Sequence, residues 1–209
     1  MDACDLLDGV GIVAVVALED ADAAVPLARV LAGSGVSCVE VTLRTGCAVD
    51  AIGRIAREVP EVLVGAGSIR RPEQLLEVRD AGARFAVSPG SSDGLLAASR
   101  RLKMPFVPGA VTATEMIGLL EHGYFLQKFF PAEASGGARA LRSLAAPLPE
   151  VRFFPTGGIT QELAPGYLHM GSVACIGGSW FVPADSLRAG DFSAIGRLAG
   201  AAAELTTLS

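Results

Sequence analysis

Short apolar runs alternate with helix-like segments along the whole of this 209-residue chain. The runs are rich in valine, isoleucine and phenylalanine, which is typical of buried strands. The predicted strands span residues 11–17, 38–43, 62–66, 84–87, 105–107, 125–130, 151–154 and 173–176. The main helix-like segments span residues 21–33, 48–58, 72–81, 92–101, 112–121, 137–145 and 160–169.

This alternation predicts a parallel sheet, because parallel strands are joined by crossover connections that usually contain a helix. Most runs are continuously apolar, as expected when protein covers both faces of the sheet. Eight βα units fit a (β/α)8 barrel at the short end of its size range. The alternative is an open doubly wound sheet, but no GxGxxG turn follows the first strand. We predict one barrel domain over residues 1–209, with a short N-terminal segment (1–10) and a closing helix (about 191–208).

Composition argues against several classes of partner. With 51% hydrophobic and 19% charged residues, the chain has enough apolar material for a substantial core. Its net charge of −5 and the lack of a Lys/Arg cluster argue against nucleic acid and anionic membranes as partners. No apolar run reaches the roughly 18 residues of a membrane span, and acidic residues stand where a signal peptide needs positive ones. The scattered cysteines indicate reduced thiols and a cytoplasmic protein.

A lysine interrupts the sixth apolar run, in the segment Gln127-Lys128-Phe129-Phe130-Pro131. Ammonium groups are costly to bury and are normally kept in water. Burial disfavours the charged form, so a neutral, nucleophilic amine becomes accessible near pH 7. Such amines form Schiff bases with ketones and aldehydes. The alternative is a lysine at a strand end whose ammonium group reaches solvent.

Polar residues alternate along the second strand, at Glu40, Thr42 and Arg44. The residues between them are apolar and suit the helix layer, so the polar set is predicted to face the barrel interior. Strands two and six lie opposite each other in an eight-stranded barrel, which would bring Glu40 close to Lys128. Arg44 offers a planar fork suited to a carboxylate. A Glu40–Arg44 ion pair is the alternative, although roughly 13 Å would separate the two along an extended strand.

Two glycine turns follow the last two strands, at Gly157-Gly158 and at Gly177-Gly178-Ser179. Residues without side chains let backbone N–H groups converge on an anion, and a helix that begins directly afterwards adds its positive end. Phosphate sites recur after strands seven and eight of this architecture. Both turns could also be ordinary connections. The isolated histidines and the lack of a His/Asp cluster predict that no metal is bound.

Six segments together resemble the 2-keto-3-deoxy-6-phosphogluconate (KDPG) and 4-hydroxy-2-oxoglutarate (KHG) aldolase family. They are VEVTLRT (39–45), VGAGS (64–68), AVSPG (86–90), KFFPAE (128–133), FPTGGI (154–159) and CIGGSWFVPAD (175–185). The resemblance extends from about residue 13 to residue 191. It implies the (β/α)8 fold, a bacterial class I aldolase that needs no cofactor, and a homotrimer.

The resemblance also implies site roles. Lys128 would form the Schiff base, and Glu40 would act as the acid and base. Arg44 would hold the pyruvyl carboxylate. The remaining substrate-binding residues would be Ser68 and Thr156 in the same pocket, Pro89 and Phe130 as apolar walls, and Gly157, Gly158, Gly178 and Ser179 at the phosphate end. The chain departs from the family pattern at Ser68 (threonine in the family), at Ala14 (commonly proline) and in the loop 91–93.

The implied substrate is a phosphorylated 2-keto-3-deoxy sugar acid, cleaved to pyruvate and glyceraldehyde 3-phosphate. Cleavage of 4-hydroxy-2-oxoglutarate to pyruvate and glyoxylate is implied as a second activity. Two alternatives are the sister 6-phosphogalactonate aldolase, which differs in C4 stereochemistry, and a non-catalytic phosphate-binding barrel. A thiamine- or tryptophan-pathway phosphate barrel would also use the glycine turns, but it gives no reason for a lysine opposite Glu40.

Overall fold

Strands and helices alternate through residues 3–207, the part of the chain that the computed structural model describes. The strands are β1 (Gly11–Val16), β2 (Cys38–Thr42), β3 (Leu63–Gly67), β4 (Phe85–Val87), β5 (Phe106–Val107), β6 (Leu126–Phe129), β7 (Arg152–Pro155) and β8 (Cys175–Gly178). The helices are α1 (Ala3–Leu7), α2 (Ala24–Gly33), α3 (Ala48–Glu58), α4 (Pro72–Ala81), α5 (Asp93–Leu102), α6 (Ala113–Glu121), α7 (Gly137–Ala145), α8 (Ala164–Leu168), α9 (Ala184–Arg188) and α10 (Phe192–Thr207).

All the predicted strands are present, each within two residues of its expected bounds. The helix expected over 21–33 opens with a 3₁₀ turn (Ala21–Ala23), and the helix expected over 160–169 is shortened to α8. Helices α1 and α9 had no counterpart in the sequence prediction. The predicted closing helix corresponds to α10; its last residue, 208, lies outside the described residues, as do residues 1 and 2 of the predicted N-terminal segment.

The strands form a parallel sheet in the order β5-β4-β3-β2-β1-β8 and a separate parallel pair, β6-β7. Isolated parallel bridges, Gly109 with Lys128 and Thr156 with Gly177, connect the pair to the larger sheet. The parallel α/β class is confirmed, but ladder pairing does not run continuously around the strands as a closed barrel predicts. β5 is short because Pro105 and Pro108 flank it, and proline has no N–H to donate to a ladder.

Apolar side chains form two clusters, one on each side of the strands. The larger cluster, which includes Val39, Val41 and Ile52, lies between the strands and the helices. The smaller cluster contains alternate strand residues such as Val13, Phe85 and Phe154, together with Ala3 and Leu7 of α1. Side chains alternate along a strand, and Val39 and Val41 of β2 face the helices. Glu40 and Thr42 therefore face the inner side.

No helix between residues 3 and 207 is long and apolar enough to cross a bilayer.

Candidate active site

Lys128 of β6 and Glu40 of β2 meet on the inner side of the strands. Nζ of Lys128 donates to Oε1 of Glu40 at 3.0 Å and to Oε2 at 3.3 Å. The 3.0 Å contact confirms the predicted approach of the two residues. Glu40 is fully buried, and Lys128 is only 5% exposed. A buried ion pair is weak evidence for stability, because desolvation of two charges offsets their attraction. The pair therefore points to chemistry at the Lys128 amine.

Two aromatic rings enclose the Lys128 amine. Nζ lies 5.3 Å from the ring centroid of Phe130 and 5.7 Å from that of Phe154. Ring faces attract a cation and displace water from around it. An iminium formed at the same nitrogen is also a cation, so the Glu40 carboxylate and both rings favour it as well. The arrangement suits Schiff-base chemistry.

The nearby thiols are not competing nucleophiles. Burial, followed by the negative charge on Glu40, raises the pKa of the Cys175 thiol. Burial also raises the pKa of the Cys38 thiol, with smaller contributions from Cys175 and Glu40. Because the thiolate is the reactive form of cysteine, both side chains stay inert near neutral pH.

Gly67, at the end of β3, provides the space for the Glu40 carboxylate. A β-carbon built on Gly67 would overlap Oε1 of Glu40 and lie 2.6 Å from Cδ. The sequence analysis assigned Gly67 no role and missed this one. A glycine inside a strand marks a close approach by another group, but the predicted third strand ended at residue 66 and did not include Gly67.

Substitution of Gly67 by alanine is expected to slow Schiff-base formation at Lys128 about 10²-fold, because the new methyl group pushes the Glu40 carboxylate away from Lys128. The rate at which borohydride traps a small ketone on Lys128 checks this. Gly118→Ala in α6 is a matched control: a β-carbon there meets nothing within 4 Å. That change should leave the rate intact and stabilise the protein by about 0.5–1 kcal/mol. Equal rates for the two variants would contradict the role of Gly67.

A cavity of about 480 Å³ opens beside the C-terminal ends of the strands. This volume suits a small ligand. The predicted site residues in its wall are Arg44, Phe130, Thr156, Gly157, Gly158 and Ser179. Phe130 also contacts the Lys128 amine, so it connects the cavity with the buried ion pair.

Gly177 lines this cavity, whereas Gly178 does not. The ring of Trp180 covers Gly178, and a β-carbon built there would lie 2.7 Å from Cη2 of that ring. The sequence analysis recognised the Gly177-Gly178 turn but assigned Gly178, not Gly177, to the phosphate end of the site.

Arg44 and Ser68 lie together at the mouth of the site. Arg44 is exposed, and its Nε donates to Oγ of Ser68 at 3.4 Å. β2 ends at Thr42, where the Arg44 N–H donates to the Thr42 carbonyl oxygen at 2.8 Å, so Arg44 does not continue the predicted strand alternation. The Thr42 hydroxyl donates a hydrogen bond to the Val16 carbonyl oxygen at 2.9 Å. Ser68 has a φ of 60°, an uncommon left-handed conformation for a residue with a side chain.

Pro89, an exposed residue after β4, is not among the described residues that line the cavity. Its segment packs against Gly109, where a β-carbon would lie 2.7 Å from the Gly90 nitrogen. Gly109 pairs with Lys128 in an isolated bridge, so the Pro89 loop is held next to the strand that carries the lysine.

Thr156 offers an unused hydroxyl to the cavity. The residue is 5% exposed, and Oγ1 makes no hydrogen bond within residues 3–207. A buried polar atom without a partner costs about 1–3 kcal/mol and calls for an explanation. Since Thr156 lines the cavity, a polar ligand atom is the natural partner for this hydroxyl.

The Gly157-Gly158 turn exposes backbone donors to the same cavity. Its φ angles of 104° and 79° lie in the left-handed region that favours glycine. The neighbouring carbonyl oxygens are fixed: Ala132 N–H donates to that of Thr156 at 2.8 Å, and Glu133 N–H donates to that of Gly157 at 3.0 Å. The amides of both glycines have no backbone acceptor among the described residues, which leaves them available for an anion.

The helices do not begin directly after the glycine turns, which corrects the sequence expectation. α8 starts at Ala164 and α9 at Ala184, several residues beyond each turn. Pro165 and Pro183 lie at these starts, and proline favours the first turn of a helix. The helix dipole acts mainly within the first turn, so the turn amides must contribute most of the attraction for an anion.

Comparisons with known proteins agree with this geometry. A family model described as KDPG and KHG aldolase matches residues 5–198. The KHG/KDPG aldolase of Escherichia coli K12 is 50% identical over 193 residues, or 92% of this chain and 91% of the relative.

Two solved structures superpose on almost the whole chain. The Legionella pneumophila KDPG aldolase, with pyruvate captured as a covalent carbinolamine, has a TM-score of 0.93 at 37% identity and covers 96% of this chain and 98% of that chain. The Zymomonas mobilis ZM4 aldolase with 3-phosphoglycerate has a TM-score of 0.91 at 40% identity and covers 97% of this chain and 95% of that chain. The chain therefore belongs to the KDPG and KHG aldolase family.

Proposed function

We propose that this protein is a class I aldolase that cleaves 2-dehydro-3-deoxy-6-phosphogluconate to pyruvate and glyceraldehyde 3-phosphate. It also cleaves 4-hydroxy-2-oxoglutarate to pyruvate and glyoxylate. The observation that carries the proposal is the buried Lys128 amine, hydrogen-bonded to Glu40 beside a cavity with anion-binding features. The relatives with carbinolamine-bound pyruvate and with 3-phosphoglycerate support the same substrate class.

The first step forms the Schiff base. The Lys128 ammonium transfers a proton to Glu40, whose Oε1 lies 3.0 Å away, and the neutral amine attacks the C2 ketone. Glu40 then returns the proton to the carbinolamine hydroxyl, which leaves as water, so that an iminium and the Glu40 carboxylate remain. Glu40 and the Phe130 and Phe154 rings stabilise this cation.

The second step breaks the bond between C3 and C4. Glu40, through a water molecule, removes the proton from the C4 hydroxyl, and the bond electrons move into the iminium to give an enamine. The aldehyde leaves, C3 is protonated, and hydrolysis releases pyruvate from Lys128. General acid–base catalysis of this kind typically raises the reaction rate about 10²–10⁴-fold.

The polar groups around the cavity orient the two ends of the substrate. Arg44 and Ser68, joined at the mouth, hold the pyruvyl carboxylate, with the Thr156 hydroxyl in the same pocket. Phe130 supplies an apolar wall, and the predicted wall residue Pro89 lies in the loop held next to the strand of Lys128. The phosphate lies at Gly157, Gly158 and Ser179, with Gly177 in the place predicted for Gly178. Binding at this remote end aligns the reacting carbons with Lys128.

The proposal includes the complete (β/α)8 architecture in one domain over residues 1–209. The isolated bridges of Lys128 with Gly109 and of Thr156 with Gly177 support closure of the eight strands into a barrel. A barrel places β2 and β6 on opposite sides of a small interior, as the contact between Glu40 and Lys128 requires.

Borohydride reduction in the presence of pyruvate tests the nucleophile. We expect the intact protein to gain the mass of one reduced pyruvyl group, and peptide mapping to locate that group on Lys128. Borohydride without pyruvate is the control and should leave the mass unchanged. An unmodified protein that still binds sugar phosphates would instead indicate a non-catalytic phosphate-binding barrel.

Substrate stereochemistry, oligomeric state and location are parts of the same proposal. Comparison of cleavage rates on the two C4 epimers separates the gluconate substrate from the galactonate one, and we expect the gluconate form to be preferred.

A homotrimer is proposed from the family resemblance and is tested by light scattering. A cytoplasmic location is proposed from the four scattered cysteines, which form no disulfide within residues 3–207.

A further inference from the structure

Glu133, which follows β6, packs directly behind the Gly157-Gly158 turn. Its N–H donates to the Gly157 carbonyl oxygen at 3.0 Å. A β-carbon built on Gly158 would lie 2.8 Å from Cβ and 3.1 Å from Cγ of Glu133. Both the backbone and the side-chain stem of Glu133 therefore contact the turn.

The Glu133 carboxylate is tied to the helix that follows the turn. Oε1 accepts a hydrogen bond from the hydroxyl of Tyr167, a buried residue of α8. Burial, followed by this hydrogen bond, raises the pKa of the Tyr167 hydroxyl, so the group remains a donor throughout the working pH range. The carboxylate also lies at the start of α7, where a β-carbon on Gly137 would be 3.2 Å from Oε2. A negative charge is favourable there because of the helix dipole.

This carboxylate supports the turn from outside the cavity. Neither Glu133 nor Tyr167 is among the described residues that line the cavity. Two consecutive glycines are conformationally permissive, so a turn made from them is ordered only if its surroundings fix it. A carboxylate that swung towards the cavity would also repel a bound anion. The Tyr167 hydroxyl opposes both changes.

We propose that Glu133 and Tyr167 are positioning residues that hold the Gly157-Gly158 turn in the conformation that binds the substrate's phosphate group. The inference rests on the proposed function, since it assigns the phosphate to this turn. Its consequence is selective: the pair matters for substrates that carry a phosphate and not for 4-hydroxy-2-oxoglutarate, which has none.

Tyr167→Phe tests the inference through the split between KM and kcat on the two substrates. We expect KM for the phosphorylated keto-acid to rise about tenfold, the effect of one lost hydrogen bond to a charged group. The value of kcat on that substrate, and both constants on 4-hydroxy-2-oxoglutarate, should stay within about twofold of wild type. Inhibition by inorganic phosphate should weaken in parallel with the rise in KM.

The chain offers matched controls. Tyr124 is its only other tyrosine, and Tyr124→Phe removes a hydroxyl that bonds Ser99 and the Leu96 carbonyl oxygen instead. Tyr124→Phe should change KM for neither substrate. Glu133→Gln keeps an acceptor for Tyr167 and should retain the wild-type KM for the phosphorylated substrate, whereas Glu133→Ala should raise it. If Tyr167→Phe does not fold, the two Glu133 variants test the same inference through their KM values for the phosphorylated substrate.

An equal rise in KM for both substrates, or a loss of thermal stability with unchanged kinetics, would reduce the pair to a structural role and overturn the inference. Failure of the proposed function is distinguishable, because it appears as absent borohydride trapping in the wild-type protein. In that case, calorimetry with inorganic phosphate still tests the pair: Tyr167→Phe should weaken phosphate binding about tenfold, and unchanged binding would refute the role.

Discussion

Replacement of Lys128 by arginine is expected to lower kcat/KM by on the order of 10⁴-fold or more. Arginine keeps a positive charge beside Glu40 but cannot be deprotonated in proteins, so it cannot form the imine. Cleavage of the phosphorylated keto-acid, followed by the appearance of pyruvate, measures the loss. Borohydride should no longer attach a pyruvyl group to the protein.

A second variant separates chemistry from packing. The site is nearly closed to solvent, so the larger arginine side chain can strain it by about 1–3 kcal/mol. Lys128→Met fills a similar space without a charge and should be equally inactive. Cleavage within about tenfold of wild type in either variant, or pyruvyl labelling of another residue, would rule out Lys128 as the nucleophile.

Replacement of Glu40 by glutamine is expected to slow cleavage by about 10²–10⁴-fold, the usual contribution of a general acid–base group. Glutamine keeps a carbonyl oxygen that can accept from Lys128 Nζ, but it cannot take up a proton at neutral pH. Pyruvate trapping should therefore continue at a reduced rate while the steady-state cleavage rate falls. Unchanged cleavage would exclude Glu40 as the acid and base.

The same substitution tests the energetics of the buried pair. Loss of the carboxylate leaves the Lys128 ammonium without its charged partner, so the free energy of unfolding should fall by up to about 3–5 kcal/mol. Glu40→Gln combined with Lys128→Met removes both charges and should regain much of that stability. Denaturant unfolding of the wild type, the two single variants and the double variant completes the thermodynamic cycle.

The inner face of β2 could be predicted because one strand contains all the needed information. Apolar and polar residues alternate there, and a period of two assigns Glu40 to the inner side. The same rule extended the alternation of β2 to Arg44, which was wrong because β2 ends at Thr42. Strand ends depend on pairing with neighbours, which a pattern within one segment does not contain.

The role of Gly67 could not be predicted for a similar reason. A glycine has no side chain whose chemistry signals a function, and the space it leaves is used by Glu40 from a neighbouring strand. The Glu133–Tyr167 contact likewise joins residues 34 positions apart in the chain. Short motifs predicted the reacting groups, whereas the residues that position them became visible only with the strand register and packing.

Helix α1 has a consequence for the order of events in catalysis. Ala3 and Leu7 complete the apolar cluster on the inner side of the strands, which also contains Phe154, a neighbour of the Lys128 amine. The apolar side chains of α1 therefore cover the inner side near the N-terminal ends of the strands, whereas the polar cavity opens at their C-terminal ends. In the proposed reaction, the aldehyde leaves through that cavity, and the water that hydrolyses the pyruvyl adduct then takes its place.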